Sequence, residues 1–143
     1  MTIRVRQAAK LILETPQGII FPYGASGRRN LIGGGIDGDE LPVDALEREM
    51  DEELGIALPS HITALGRFAG QVTSKDGAPF TADWHVFYAN THARLHELCT
   101  PGDDIHGFET IPLTHSMQHP LVTEMSKRAL SVCRVLRPLA AIN

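Results

Sequence analysis

The chain has 143 residues and a formal net charge of −4, with 43% hydrophobic and 21% charged residues, which describes one ordinary globular domain over residues 1–143. No apolar run reaches the roughly 18 residues of a membrane span, and no basic block marks a dedicated nucleic-acid surface. The two cysteines, Cys99 and Cys133, lack metal-ligand spacing and fit buried thiols in a reducing cytoplasm.

The elements follow in chain order. Ile3 to Glu14 is β-rich, and the charges in Arg4-Val5-Arg6 set it apart from a signal peptide. Thr15-Pro16-Gln17-Gly18 is a turn, and the strand Gly18 to Phe21 completes a hairpin. Pro22 to Arg29 reads as a loop. Asn30 to Ile32 is a short strand that feeds the turn Gly33-Gly34-Gly35. A helix is expected from Pro42 to Leu54, because proline suits a first helical turn and Gly55 suits a helix end. Ile62 to Val72 and Phe80 to Ala89 read as strands joined by a turn at Asp76-Gly77. Ile105 to Leu113 is a last strand, bent at Pro112. Pro120 to Leu136 has helical periodicity in Leu121, Met125, Ala129, Val132 and Leu136. The pattern is two helices against a mixed sheet.

The first of these helices carries an unusual load of acid. Five acids fall between Glu47 and Glu53. At about 100° per residue, Val43, Leu46, Met50 and Leu54 form a buried stripe. Glu49, Glu52 and Glu53 have i, i+3, i+4 spacing and form a second stripe, with Cβ atoms about 5–6 Å apart. Carboxylates so placed converge on one spot and repel each other unless a cation lies between them. Glu47 and Asp51 point elsewhere, into solvent. Three acids favour a hard, oxygen-seeking cation: Mg²⁺ first, with Mn²⁺ as a substitute.

The stretch Gly34 to Ile56 resembles the Nudix box, G-x5-E-x7-R-E-U-x-E-E-x-G-U with U apolar. Each defined position matches: Gly34, Glu40, Arg48, Glu49, Met50, Glu52, Glu53, Gly55 and Ile56. Outside the box the resemblance is one of length and element order. It implies an α+β fold, an α/β/α sandwich with a mixed β-sheet between helices. It also implies roles. Glu52 and Glu53 look like direct metal ligands, and Glu49 like a further ligand or the base. Arg48 looks like the partner that holds a glutamate in position, against the plain alternative of an i, i+4 surface pair with Glu52. Family resemblance gives the Gly33 carbonyl a ligand role. Glu40 reads as a support of the loop.

Many family members add an acid from a downstream loop. Here Gly102-Asp103-Asp104-Ile105 stands at a fitting distance, and Asp104 is favoured over Asp103. Entry into a strand at Ile105 would turn Asp104 to the opposite face. An Asp-rich turn without that role is the equal alternative. His115 and His119 read as surface or turn residues. Trp84, Phe87 and Tyr88 read as core, with base stacking the alternative for each.

Subfamily markers are partial. Antimutator nucleoside triphosphatases of the family usually carry Trp and Pro before the glycines, where this chain has Arg29 and Ile32. The proline of ADP-ribose hydrolases is replaced by Gln71, and the tyrosine of dinucleoside-polyphosphate hydrolases by Thr73 or Ser74. The expectation is a metal-dependent pyrophosphohydrolase of a nucleoside diphosphate linked to another moiety. A (deoxy)nucleoside triphosphate, cut to monophosphate and pyrophosphate, comes first. Nucleotide sugars, dinucleotides and a non-catalytic nucleotide sensor are the alternatives. The expected partner is a small nucleotide, with no membrane and no nucleic acid, and a homodimer is compatible with the chain.

Overall fold

The computed structural model describes residues 4–74, 76–92, 102 and 104–142, with side chains along the last helix described to residue 136. Strand β1 (Val5–Thr15) is the axis of the fold. The chain continues through β2 (Gly18–Tyr23), β3 (Ile32–Gly35), α1 (Pro42–Leu54), β4 (Thr63–Thr73), β5 (Pro79–Asn90), β6 (Gly107–Ile111), the short α2 (Leu113–Ser116) and α3 (Glu124–Ile142). Six strands form one sheet in the order β4-β5-β1-β2-β6, and β3 pairs with β1 beside that path. β1 and β5 run parallel, from Val5 opposite Thr81 to Glu14 opposite Asn90. The other named pairings are antiparallel, so the sheet is mixed.

Alternation along β1 explains the layers. Ala9, Leu11 and Leu13 face α1 and pack with Ala45, Leu46, Met50, Leu54 and Phe87. Ala8 and Ile12 face the other side and pack with Trp84, Val86, Met125, Ala129 and Cys133. A helix on each face of one sheet is the α/β/α sandwich expected from the sequence. Cys133 is buried, as expected, whereas Cys99 lies outside the described residues.

Four element boundaries move for physical reasons. The glycines Gly33 to Gly35 are not a turn but part of β3, laid against Ala8 to Lys10. At Gly33, with φ of 118°, a Cβ would stand 2.0 Å from the Ala9 carbonyl oxygen. Only glycine lets the two backbones lie that close. β2 runs past Phe21 through Pro22 to Tyr23, pairing with β6. β6 starts at Gly107, because Ile105 is held in a turn by its N–H bond to the Gly102 carbonyl, 3.1 Å. The last helix starts at Glu124. The residues before it are tied to the 20s loop instead, with Arg29 N–H on the Leu121 carbonyl at 2.8 Å and Thr123 N–H on the Arg29 carbonyl at 3.1 Å. Leu121 is therefore exposed rather than part of the buried stripe.

Candidate active site

α1 has the bounds that its sequence signals imply. Pro42 stands in the first turn, and Gly55 closes the helix in the left-handed region with φ of 67°. Leu41 occupies the N-cap and makes no side-chain cap. The buried face is Ala45, Leu46, Met50 and Leu54. Val43, expected in that stripe, is exposed, and the small Ala45 lets the helix sit close to the sheet in its place. Glu47 and Asp51 are exposed, as expected.

Arg48 is the hub of the loop that precedes the helix. Its Nε and Nη2 donate to the two oxygens of Glu40 at 2.9 and 3.0 Å. Nη2 also donates to the Gly35 carbonyl at 2.9 Å, and Nη1 to Glu49 Oε1 at 3.0 Å. Contact with Glu52 is longer, 3.4 Å. The planar guanidinium matches the carboxylate fork of Glu40 better than it matches Glu52 on the next turn. Glu40 in turn receives the Asp37 N–H at 2.9 Å. The Arg48 hydrogen bonds, then that N–H, hold the Glu40 carboxyl down to about 2. Arg48 thus joins loop, β3 and helix, and it orients Glu49.

Glu53 ties α1 directly to β3. Its Oε1 accepts the Gly33 N–H at 2.8 Å. Burial pushes its carboxyl up to about 7, while Lys10 and the Gly33 N–H pull the other way. The Gly33 carbonyl meets the Lys10 ammonium at 3.1 Å, and the Leu31 carbonyl meets it at 3.5 Å. Gly33 is therefore bracketed, with a carboxylate on its N–H and an ammonium on its oxygen. Lys10 is buried, and its Nζ lies 4.9 Å from the centre of the Trp84 ring. Burial lowers the lysine's pKa, and Glu53 and then Glu49 oppose that shift.

The expected convergence of Glu49, Glu52 and Glu53 on one spot is not the arrangement found. Among the described residues, no three His, Cys, Asp or Glu side chains gather into a metal-holding group. Their mutual repulsion and the available donors explain this. Gly33 holds Glu53, while Arg48 draws Glu49 and the more exposed Glu52 toward itself. Glu49 and Glu53 remain close enough to act on each other electrostatically. At Gly34 an added Cβ would come within 2.7 Å of the Glu49 carboxyl group, so this glycine leaves the space that Glu49 fills. The donors around β3 are all oxygens: the Glu49 and Glu53 carboxylates and the Gly33 carbonyl. That set fits a hard divalent cation.

Asp104 lies in a turn and is exposed. The register argument for it therefore fails, because the strand begins three residues later, at Gly107. Asp103 is outside the described residues. The loop still docks on α1. Gly102 N–H donates to the Glu53 carbonyl at 3.1 Å, and a Cβ at Gly102 would stand 2.0 Å from the Glu52 carbonyl oxygen. His115 is exposed on α2, and His119 accepts the Leu121 N–H at 3.1 Å; they are turn and surface groups, as expected.

A cleft of about 800 Å³ opens on the α3 face, lined by Arg28, Asn30, Gln71, Trp84, Thr123 and Glu124 among others. Asn30 Oδ1 is fixed there by Leu31 N–H at 3.0 Å and Ser126 Oγ at 2.9 Å. The glutamates of α1 do not line this cleft. Trp84 and Lys10 connect the two regions: the Trp84 ring forms part of the cleft wall, and the Lys10 ammonium beside it reaches the Gly33 carbonyl. Neither the cleft nor Lys10 emerges from the sequence reading. One signal was present, a lysine inside the apolar run Ala8-Ala9-Lys10-Leu11-Ile12, since a buried ammonium needs specific partners.

The NUDIX domain family model matches residues 5–130. Significant matches among curated proteins are absent. Solved structures are similar throughout. A MutT protein from Methanosarcina mazei Go1 has a TM-score of 0.77 at 13% identity, covering 97% of this chain and 98% of its own. The NUDIX domain of Shewanella oneidensis NrtR, solved with ADP ribose, has a TM-score of 0.72 at 17% identity, covering 94% and 89%. A C. elegans Ap4A hydrolase has a TM-score of 0.64 at 14% identity, covering 96% and 99%. At these identities the structural matches speak for the fold.

Proposed function

Because the chain belongs to the Nudix hydrolase family, we propose that it is a Mg²⁺-dependent pyrophosphohydrolase of a nucleoside diphosphate linked to another moiety, with a (deoxy)nucleoside triphosphate as the first choice. The observation that carries this reading is the path from cleft to acids. Asn30 and Gln71 on the cleft wall offer amide donors and acceptors to a base edge, and the buried Trp84 backs the wall. Lys10 and Gly33 then lead to Glu53 and Glu49, which would hold the metal over the phosphates. Bound there, the cation would neutralise phosphate oxygens and activate a water for attack on phosphorus.

The chain's own groups have distinct tasks in this reading. Glu53, Glu49 and the Gly33 carbonyl are the metal donors, with Glu52 joining from the helix surface. In this reading Glu49 also takes a proton from water. Arg48 fixes Glu49 and, through Glu40 and Gly35, fixes β3 relative to α1. Asp104 supplies the further acid from the docked loop. A nucleoside diphosphate sugar is the second reading, favoured by the NrtR domain that was solved with ADP ribose.

The test is a nucleotide panel assayed for phosphate release with and without added pyrophosphatase. Triphosphate cleavage to monophosphate gives signal only when pyrophosphatase is present. Chelation should remove turnover and Mg²⁺ should restore it. Full turnover in excess chelator would overturn the metal-dependent reading.

A further inference from the structure

We infer that the Lys10 ammonium is a resident counter-ion of the acidic site, seated on the carbonyl that a divalent cation would take, and that it sets how tightly the site binds that cation. The inference rests on the metal site proposed above. Lys10 sits in the middle of β1, opposite Gly33 in the strand register. Its side chain lies on the α3 face of the sheet, yet its Nζ reaches the Leu31 and Gly33 carbonyls, at 3.5 and 3.1 Å. Leu31 and Gly33 are separated by one position, and both present their carbonyls to the same ammonium. On Gly33 the N–H is held by Glu53. The ammonium, the carbonyl and the carboxylate thus surround one backbone unit.

Three observations favour a counter-ion over a structural strut. First, a strut in a core strand is normally apolar, and its neighbours Ala8, Ala9, Leu11 and Ile12 all are. Secondly, the carbonyl that Lys10 holds belongs to Gly33, whose N–H is bound by Glu53 and whose neighbour Gly34 lies against the Glu49 carboxyl group, so the ammonium stands beside both acids proposed for the cation. Thirdly, its other neighbour is the Trp84 ring face, a place where a displaced ammonium remains stabilised. A divalent cation at the Gly33 carbonyl must therefore displace one positive charge and bind beside it. Lys10 weakens cation binding in the free protein and keeps the acids neutralised until a cation arrives.

The experiment measures Mn²⁺ binding to the whole chain by calorimetry, with no substrate present. Lys10→Met removes charge and donor at similar length. Lys10→Gln removes the charge but keeps a donor for the Gly33 carbonyl. Both variants should bind Mn²⁺ at least about tenfold more tightly than the wild type, because a unit charge beside a divalent ion is removed. In the wild type, the Lys10 ¹⁵Nζ resonance should move as Mg²⁺ is titrated, over the same range in which the site fills. Equal or weaker Mn²⁺ binding in a folded variant, or a Lys10 signal that stays fixed while Mg²⁺ binds, overturns the role of Lys10 and leaves the metal site standing. Failure of the wild type and both variants to bind Mn²⁺ removes the site itself, and the inference falls with it.

Discussion

Replacing Glu53 with glutamine should stabilise the metal-free protein at alkaline pH and leave it unchanged at acid pH. The reasoning starts from burial. Glu53 is raised from 4.5 to about 7, chiefly because its ionised form is poorly solvated between α1 and β3. An acid whose folded pKa lies above its unfolded value binds more protons when folded, so stability falls as pH rises between the two values. Below about 4.5 the folded and unfolded groups are both protonated and the effect is absent; above about 7 both are ionised and the penalty is complete. At about 1.4 kcal/mol per unit, the penalty is about 3 kcal/mol. Glutamine keeps the shape and an oxygen for the Gly33 N–H, but it never ionises. For a chain of this size, melting temperature moves by about 2–4 °C per kcal/mol. In chelator near pH 8.5 the Glu53→Gln protein should melt roughly 6–12 °C above the wild type, and near pH 4 the two should coincide. Saturating Mg²⁺ should reverse the order at alkaline pH, because only the wild type gains from the cation. Calorimetric scans at both pH values read this directly. A variant that melts lower than the wild type at alkaline pH, or by the same interval at both, would refute the burial argument and make Glu53 a structural support.

Arg48→Ala should cut kcat about a hundredfold, since a misplaced catalytic group costs about that much, and near wild-type turnover would reduce Arg48 to a surface pair. Gly33→Ala should destabilise strongly or prevent folding, because its Cβ would meet the Ala9 backbone at 2.0 Å; expression of a folded Gly33→Ala protein with an unchanged melt would contradict the β1–β3 packing. Gly34→Ala should instead fold and lose activity, because its Cβ would push the Glu49 carboxyl group aside, a side-chain shift made at the cost of its Arg48 bond. Asp104→Asn should lower kcat with little change in melting temperature, as it is exposed and its loop is held by Gly102; a silent variant would assign all the carboxylates to α1.

What the sequence makes legible here depends on how far apart the relevant residues lie. The bounds of α1 could be read because Pro42 and Gly55 act locally. The core positions Trp84, Phe87 and Tyr88 in β5, and Met125 and Ala129 in α3, could be read because apolar spacing within one element reflects burial at each position. The partners of Arg48 could not, because its best contacts are to Glu40 and Gly35, across a loop, while the helical neighbour Glu52 is further away. Glycines were legible as special but not as strand, since their role is set by the approach of β1 from elsewhere in the chain. The register at Asp104 depended on where β6 begins, and the Gly102 turn moves that start to Gly107. The cleft draws on the 20s loop, β4, β5 and α3, and no local spacing encodes such an assembly.

The parallel pairing of β1 with β5 has a consequence for how the molecule forms. Val5 to Glu14 can complete this ladder only with Thr81 to Asn90. Parallel neighbours so distant in sequence close late, because the loop entropy is lost before the contacts are gained. The helix that carries the acids lies between them in the chain. During synthesis the acidic helix therefore emerges while the second central strand is still missing, and β1 then exposes one edge of its apolar middle. That interval, rather than the finished fold, is when the chain is most open to pairing with another copy of itself.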